Sequence, residues 1–262
     1  MPDVLTKTLW DGRRALAGFA AGTALVGAAY AGFYPQVSDG AMGQTVQGFS
    51  PALREALRME DLASAAGYLG SSVFGIIVPL IAVIFGIATG TRAIAGDEEA
   101  GYLDLLLAHP VSRTRLLLHR FAALTAGATL VAAVVLLAML AVRPGARLDS
   151  ISIGQFTAQC LALALLIIVF GAVAVTIGAA TGSRAAALAG TAAIAVLTYA
   201  ASTAATQINA DALRYASPFH YYIGGEPLRH GFQWADLSIL TATTAVLLTI
   251  AVLAFNRRDL TT

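Results

Sequence analysis

The amino-acid sequence predicts an all-α polytopic membrane protein with six transmembrane helices. Of its 262 residues, 58% are hydrophobic and only 12% are charged, whereas soluble domains average about 25% charged residues. So few charged side chains cannot cover the water-facing surface of a soluble domain of this size. In addition, six apolar runs are each long enough to cross a bilayer, which takes about 20 helical residues.

The six predicted spans follow one another along a single transmembrane domain, 1–262. They are near Ala15–Tyr34, Gly67–Ala95, Leu116–Val142, Gln155–Thr181, Ala185–Thr206 and Ala235–Phe255. The second run is the longest and as a helix would measure about 43 Å, more than a hydrocarbon core of about 30 Å. Because Pro79 lies inside it and proline kinks helices, we expect this span to tilt, kink or protrude.

The distribution of basic residues predicts that both termini are cytoplasmic. With the N-terminus inside, ten of the 16 Lys and Arg residues lie in inner segments and six in outer ones. Basic residues favour the cytoplasmic side of membrane proteins, and six spans return the C-terminus to the side of the N-terminus.

Several functions are disfavoured by what the sequence lacks. No acidic or basic residue lies in the middle of a predicted span, and such residues mark ion and proton paths. The only lysine, Lys7, is not preceded by the glycines of a P-loop, so the chain carries no Walker-type ATP site. No hydrolase motif of the G-x-S-x-G or H-E-x-x-H type occurs. We therefore expect a chain that is not itself an enzyme.

No metal or nucleic-acid site is expected either. Cys160 is the only cysteine, which excludes an internal disulfide and a cysteine-based metal cluster. His220 and His230 are too far apart and too isolated for a metal site. The net charge of +1 gives no indication of a nucleic-acid partner.

One long charged stretch, GDEEAGYLDLLLAHPVSRTRLLLHR (Gly96–Arg120), separates the second and third runs. Gly96 can end the second span, and the acids after it suit the positive N-terminal end of a new helix. Ser112 is a suitable N-cap for the third span. The stretch therefore predicts a short, leucine-rich cytoplasmic helix, which either lies in the lipid headgroups or docks a cytoplasmic partner.

This stretch resembles the signature of type 2 ABC-transporter permeases. Acids, a glycine, a leucine-rich turn and a Pro-x-Ser-Arg segment join the second and third spans in that family. The similarity is strong over Gly67–Arg120 and looser at Ser217-Pro218-Phe219 and at the ending that begins with Phe255. Tyr102 departs from the pattern, since the family more often has a small hydroxyl residue there.

The resemblance implies a type 2 ABC exporter transmembrane domain. In such transporters two six-span permeases pair, as a homodimer or heterodimer. Each sits on a separate cytoplasmic ATPase subunit, which holds ATP and Mg. Segment 96–115 would be the coupling segment that docks on the ATPase, and residues 1–14 an interfacial elbow helix in contact with membrane lipids. The coupling residues implied are Asp97, Glu98, Glu99, Gly101, Leu103, Leu106, Leu107, Pro110, Arg113 and Arg115.

Two further sets of residues are candidates. Segment 207–234 is expected outside the membrane or re-entrant from that side, and its aromatic residues suit an outer gate. These are Tyr215, Phe219, Tyr221 and Tyr222. Small residues spaced as GxxxG let helices approach closely. This spacing predicts helix packing at Gly86, Gly90, Gly178 and Gly182.

The predicted function is that of a permease subunit in the plasma (inner) membrane of a bacterium. It would export a hydrophobic or amphipathic substrate, such as a drug, an antibiotic or a lipid-like molecule, driven by the partner ATPase. The alternative is a membrane anchor that transmits the ATPase stroke without moving a substrate. An ion-coupled carrier is the third hypothesis.

Overall fold

The computed structural model describes residues 4–38, 64–99, 112–204 and 214–258, which are helical almost throughout. Six of the helices are long and apolar enough to cross a membrane. Spans 1 to 6 are Val4–Gly32, Ala65–Gly96, Arg113–Val142, Ile153–Thr181, Arg184–Ala204 and Trp234–Arg257. Shorter helices are Tyr34–Gln36, Asp97–Glu99, Pro218–Ile223 and Pro227–His230. The prediction of an all-α, six-span membrane protein is confirmed.

Span 1 begins earlier than the sequence predicted. The first span is predicted near Ala15–Tyr34, after an interfacial elbow helix over residues 1–14, and in the structure one α-helix runs without a break from Val4 to Gly32. The reason is local, since this stretch contains no proline and nothing else in it interrupts the backbone hydrogen bonds. Near its start, the Arg13 guanidinium lies 3.9 Å from the centroid of the exposed Trp10 ring, a pairing typical of a membrane–water boundary.

Span 2 departs from regular α-helix around its proline. A π-helical stretch, Leu69–Ile77, precedes the α-helix Val78–Thr91, and Pro79 lies in the first turn of that α-helix. Proline has no N–H to donate to a carbonyl of the preceding turn, and the Val78 N–H just before it bonds five residues back, to the Val73 carbonyl. The hydroxyl of Tyr199 in span 5 donates to the Gly75 carbonyl of that turn at 3.3 Å. A second π-helical stretch, Arg92–Gly96, ends the span.

Serine side chains cap the starts of spans 2, 3, 4 and 5, where Ser64 accepts from the N–H of Gly67 and Ser183 from the N–H of Ala186. Ser112 caps span 3, as the sequence predicted, and its hydroxyl accepts from the N–H of Arg115 at 3.3 Å. Ser152 and Gln155 form a reciprocal capping box at the start of span 4. Such caps satisfy N–H groups that have no partner within the helix.

Span 4 is the central helix and the most buried of the six. Glycines allow span 2 to approach its backbone closely. A Cβ on Gly86 would lie 2.6 Å from the carbonyl oxygen of Ile167, and one on Gly90 would collide with the carbonyl oxygen of Gly171. On another side of span 4, Leu124 of span 3 fills the space beside Gly171.

Both ends of the described chain lie at one end of the bundle. Arg120, near the start of span 3, donates to the hydroxyl of Thr8 at 3.2 Å. Asn256, near the end of span 6, donates to the hydroxyl of Thr114 at 3.0 Å. We call this end of the bundle, where both ends of the described chain contact span 3, the joint end. At the opposite end, which we call the hairpin end, the Tyr68 hydroxyl donates to the Tyr30 carbonyl at 2.9 Å.

Candidate functional site

The predicted coupling residues divide into described and undescribed ones. Gly101, Leu103, Leu106, Leu107 and Pro110 lie outside the described residues. Asp97 is placed as part of the short helix Asp97–Glu99, without a description of its side chain. The structure describes the side chains of Glu98, Glu99, Arg113 and Arg115, which lie on the two flanks of the segment.

Glu98 contacts the far end of the chain. Its carboxylate forms an ion pair and hydrogen bond with the guanidinium of Arg258, which follows span 6 directly. The Glu98 side chain is only 16% exposed and that of Arg258 only 18%. Solvent therefore screens this pair less than it screens a surface ion pair.

One acidic and one basic side chain contact the turn between spans 4 and 5. Glu99 accepts a hydrogen bond from the backbone N–H of Arg184 at 2.8 Å, at the positive N-terminal end of span 5. Gly182 caps the C-terminal end of span 4 with a left-handed φ of 69°, and the Arg258 guanidinium lies directly against its α-carbon. A cation there complements the negative end of the span 4 dipole.

Arg113, on the other flank of the segment, also binds the end of span 6. Its Nη1 donates to the carbonyl oxygens of Phe255 at 3.2 Å and of Arg258 at 2.7 Å. One carbonyl lies in the last turn of span 6 and the other belongs to Arg258 just after it, a place where backbone carbonyls need partners from outside the helix. Arg115, in contrast, has an exposed side chain. We call Glu98, Glu99, Arg113, Gly182 and Arg258 together the joint.

Sequence reasoning missed part of this joint. The sequence gives Arg258 a place in the chain ending that begins with Phe255 and among the inner basic residues, and it predicts Gly182 as a helix-packing residue. Its position as a left-handed helix cap could have been inferred from the glycine just after an apolar run. No sequence signal pairs Glu98 with a residue 160 positions away, because that pairing depends on how the spans pack.

The predicted gate residues lie on or beside two short hairpin helices, Pro218–Ile223 and Pro227–His230. Phe219 is buried, with its ring centroid 5.4 Å from that of Phe170 and 5.2 Å from that of Tyr199. Because Phe170 lies well inside span 4, the first hairpin helix enters the bundle. Tyr215 is exposed, and its carbonyl accepts from the Tyr221 hydroxyl at 2.8 Å.

Tyr222 is buried beside polar residues of span 4. Its ring is 1% exposed, and burial raises the pKa of its hydroxyl well above the usual value. The side chain of Gln159 faces this hydroxyl and acts on its pKa in the opposite, lowering direction. Nevertheless, the Tyr222 hydroxyl and both amide atoms of Gln159 make no hydrogen bond of full geometry. Buried polar atoms without partners are rare and costly.

The remaining glycine candidate makes a looser contact. A Cβ on Gly178 would lie 3.4 Å from the Cβ of Ala95, an ordinary van der Waals distance. Gly178 thus lies beside the end of span 2, one turn before Gly182. Within the described part of the chain, no three His, Cys, Asp or Glu residues cluster as metal ligands.

The helices and their sequence define a polytopic membrane protein with six apolar spans. Residues 4–260 match the sequence model of a family described as ABC-2 family transporter protein. Since the match covers nearly the whole chain, this protein belongs to the ABC-2 transporter family, and it is a permease-type membrane component. No curated protein matches the sequence closely enough to add a named relative.

Proposed function

We propose that the chain is the permease subunit of an ATP-driven exporter. The family match over residues 4–260 carries this proposal. The chain would sit on a separate cytoplasmic ATPase that binds ATP and Mg, and segment 96–115 would dock on that subunit. Both termini would be cytoplasmic, and the joint end would face the ATPase. The membrane would be the plasma membrane of a bacterium.

The proposed substrate is hydrophobic or amphipathic. The central part of every span is free of Asp, Glu, Lys and Arg, so a substrate moving along these helices would meet apolar side chains and hydroxyl groups. An ion gradient would have no charged residue to act on there. This favours ATP over an ion gradient as the energy source, and outward transport follows from the exporter type of the domain.

A second permease is the other proposed partner, and span 5 offers a face for it. Most of its length is exposed in the single chain. Ala185, Ala189 and Ala193 lie exposed at four-residue intervals, a spacing of small residues that lets two helices approach closely. Leu188, Val196 and Leu197 are exposed near this row and would add apolar contact area.

Co-purification from native membranes in mild detergent tests the proposal. We expect a P-loop ATPase to accompany the wild-type chain and to be lost with Leu106→Asp, which places a charge in the leucine-rich part of segment 96–115. Arg257→Glu is the matched control, because it changes charge at the joint end on an exposed side chain. Recovery of no ATPase with the wild type, or equal recovery with Leu106→Asp, contradicts the proposal.

A further inference from the structure

We infer that the joint is the mechanical connection through which segment 96–115 moves spans 4, 5 and 6, and that Arg258 is its central positioning residue. This inference rests on the proposed function, since it requires an ATPase that pushes the segment. It assigns the acids after span 2 a role within the chain. Glu98 and Glu99 would hold the segment to the bundle, and docking on the ATPase would fall to other residues of the segment.

The first argument is that both flanks of the segment are tied to one residue. Near the start of the segment, Glu98 pairs with the Arg258 side chain. Near its end, Arg113 donates to the Arg258 carbonyl at 2.7 Å. A displacement of either flank therefore acts directly on the end of span 6.

The second argument concerns the turn between spans 4 and 5. Arg258 lies against Gly182 at the negative end of span 4, and Glu99 accepts from the N–H of Arg184 at the positive end of span 5. Each charge has the sign that the adjacent helix dipole favours. The turn is thus held by one acid of the segment and by the arginine that the other acid binds.

The third argument is steric. Gly182 has a φ of 69°, and a Cβ there would collide with the Arg258 guanidinium and lie 2.8 Å from a carboxylate oxygen of Glu98. Position 182 therefore needs a glycine for two reasons. Glycine adopts the left-handed conformation of the helix cap without strain, and its missing side chain leaves the space in which the ion pair lies. Gly182→Ala displaces the guanidinium without changing any charge, so it disrupts the joint independently of electrostatics.

The test uses the whole complex and a reporter at the opposite end. Tyr215 is 58% exposed at the hairpin end. Tyr215→Cys, in a Cys160→Ser background, is labelled with a membrane-impermeant maleimide in the presence and absence of ATP, Mg and vanadate. The variants compared are Glu98→Arg, Arg258→Glu, their combination, and Gly182→Ala, with Arg257→Glu as the charge-matched control.

We expect every variant to retain the co-purified ATPase. The ATP-dependent change in labelling rate should fall about tenfold in each single charge reversal and in Gly182→Ala, and should be unaffected in Arg257→Glu. The combined reversal should recover most of it, because residues in contact couple in a double-mutant cycle. Recovery will be incomplete, since a glutamate at position 258 opposes the span 4 dipole.

Three results would overturn the inference. Loss of the ATPase from Glu98→Arg would mean that this acid docks the partner. An unchanged labelling response in the single reversals, or no ATP response in the wild-type complex, would mean that the joint transmits nothing. These outcomes differ from a failure of the proposed function, in which no ATPase accompanies even the wild-type chain.

Discussion

The α-carbon of Gly86 in span 2 lies against the carbonyl oxygen of Ile167 in span 4, so close that a Cβ would be 2.6 Å from it. The obstacle is backbone, which cannot rotate aside as a flexible side chain can. Together with the contact between Gly90 and Gly171, it sets the separation of the two helices at the centre of the bundle.

We predict that Gly86→Ala destabilises the protein. Inserting even one methyl group into a well-packed interface costs about 1–3 kcal/mol. The control is Gly22→Ala in span 1, where a Cβ would meet nothing within 4 Å and where alanine is the better helix former. Thermal unfolding in detergent should show a lower midpoint for Gly86→Ala only; equal midpoints would mean that the helices separate easily.

How much of this architecture the sequence could predict depends on the range of each interaction. The six spans and the Ser112 cap follow from local composition, and the structure agrees with them. The pairing of Glu98 with Arg258 does not, because it depends on the packing of spans 2, 4 and 6. The start of span 1 at Val4 lies before the predicted one because a change from polar to apolar residues, such as the one near Arg14, need not break a helix.

A second prediction concerns the hydrogen bond between Tyr199 and the Gly75 carbonyl. Tyr199→Phe should cost about 0.5–1.5 kcal/mol, because it removes a donor from a carbonyl in the turn before Pro79, which has one N–H fewer than a regular helix. In a Pro79→Ala background an N–H is restored to this turn, and the same substitution should then cost less. Unfolding midpoints of the four proteins form a double-mutant cycle. Additive effects would show that the hydroxyl does not substitute for the missing donor.

A third prediction contrasts two glutamines one turn apart in span 4. Gln159 is fully buried, and its amide faces the Tyr222 hydroxyl without a hydrogen bond of full geometry, so Gln159→Leu should raise stability by about 1 kcal/mol. Gln155 completes the capping box and donates to the Arg229 carbonyl at 2.6 Å, so Gln155→Leu should lower it. If Gln159→Leu is destabilising instead, the Gln159 amide has an effective partner, either the Tyr222 hydroxyl or a bound water.

The proposed pairing of two permeases leads to a fourth prediction. Ala189→Cys, in a Cys160→Ser background, should form a disulfide-linked dimer when native membranes are oxidised, because its side chain lies exposed in the alanine row of span 5. Ala133→Cys, exposed on span 3, is the control and should remain monomeric. A product of unequal subunits would identify a heterodimer, whereas dimers from Ala133→Cys alone would place the interface on span 3.

The last prediction separates the two arginines near the end of the coupling segment. Arg113 binds the Phe255 carbonyl in the last turn of span 6 and the Arg258 carbonyl just after it, at 3.2 and 2.7 Å, whereas Arg115 is exposed. Arg113→Ala leaves those carbonyls without a charged donor, and bonds to charged groups contribute about 1.5–3 kcal/mol. Amide hydrogen exchange in the last turn of span 6 should therefore accelerate at least about tenfold in Arg113→Ala and stay unchanged in Arg115→Ala. Equal exchange in both variants would show that backbone bonds such as that from the Arg258 N–H to the Ala254 carbonyl, 3.2 Å long, hold this turn without Arg113. In that case only the Glu98 flank would tie the segment to span 6.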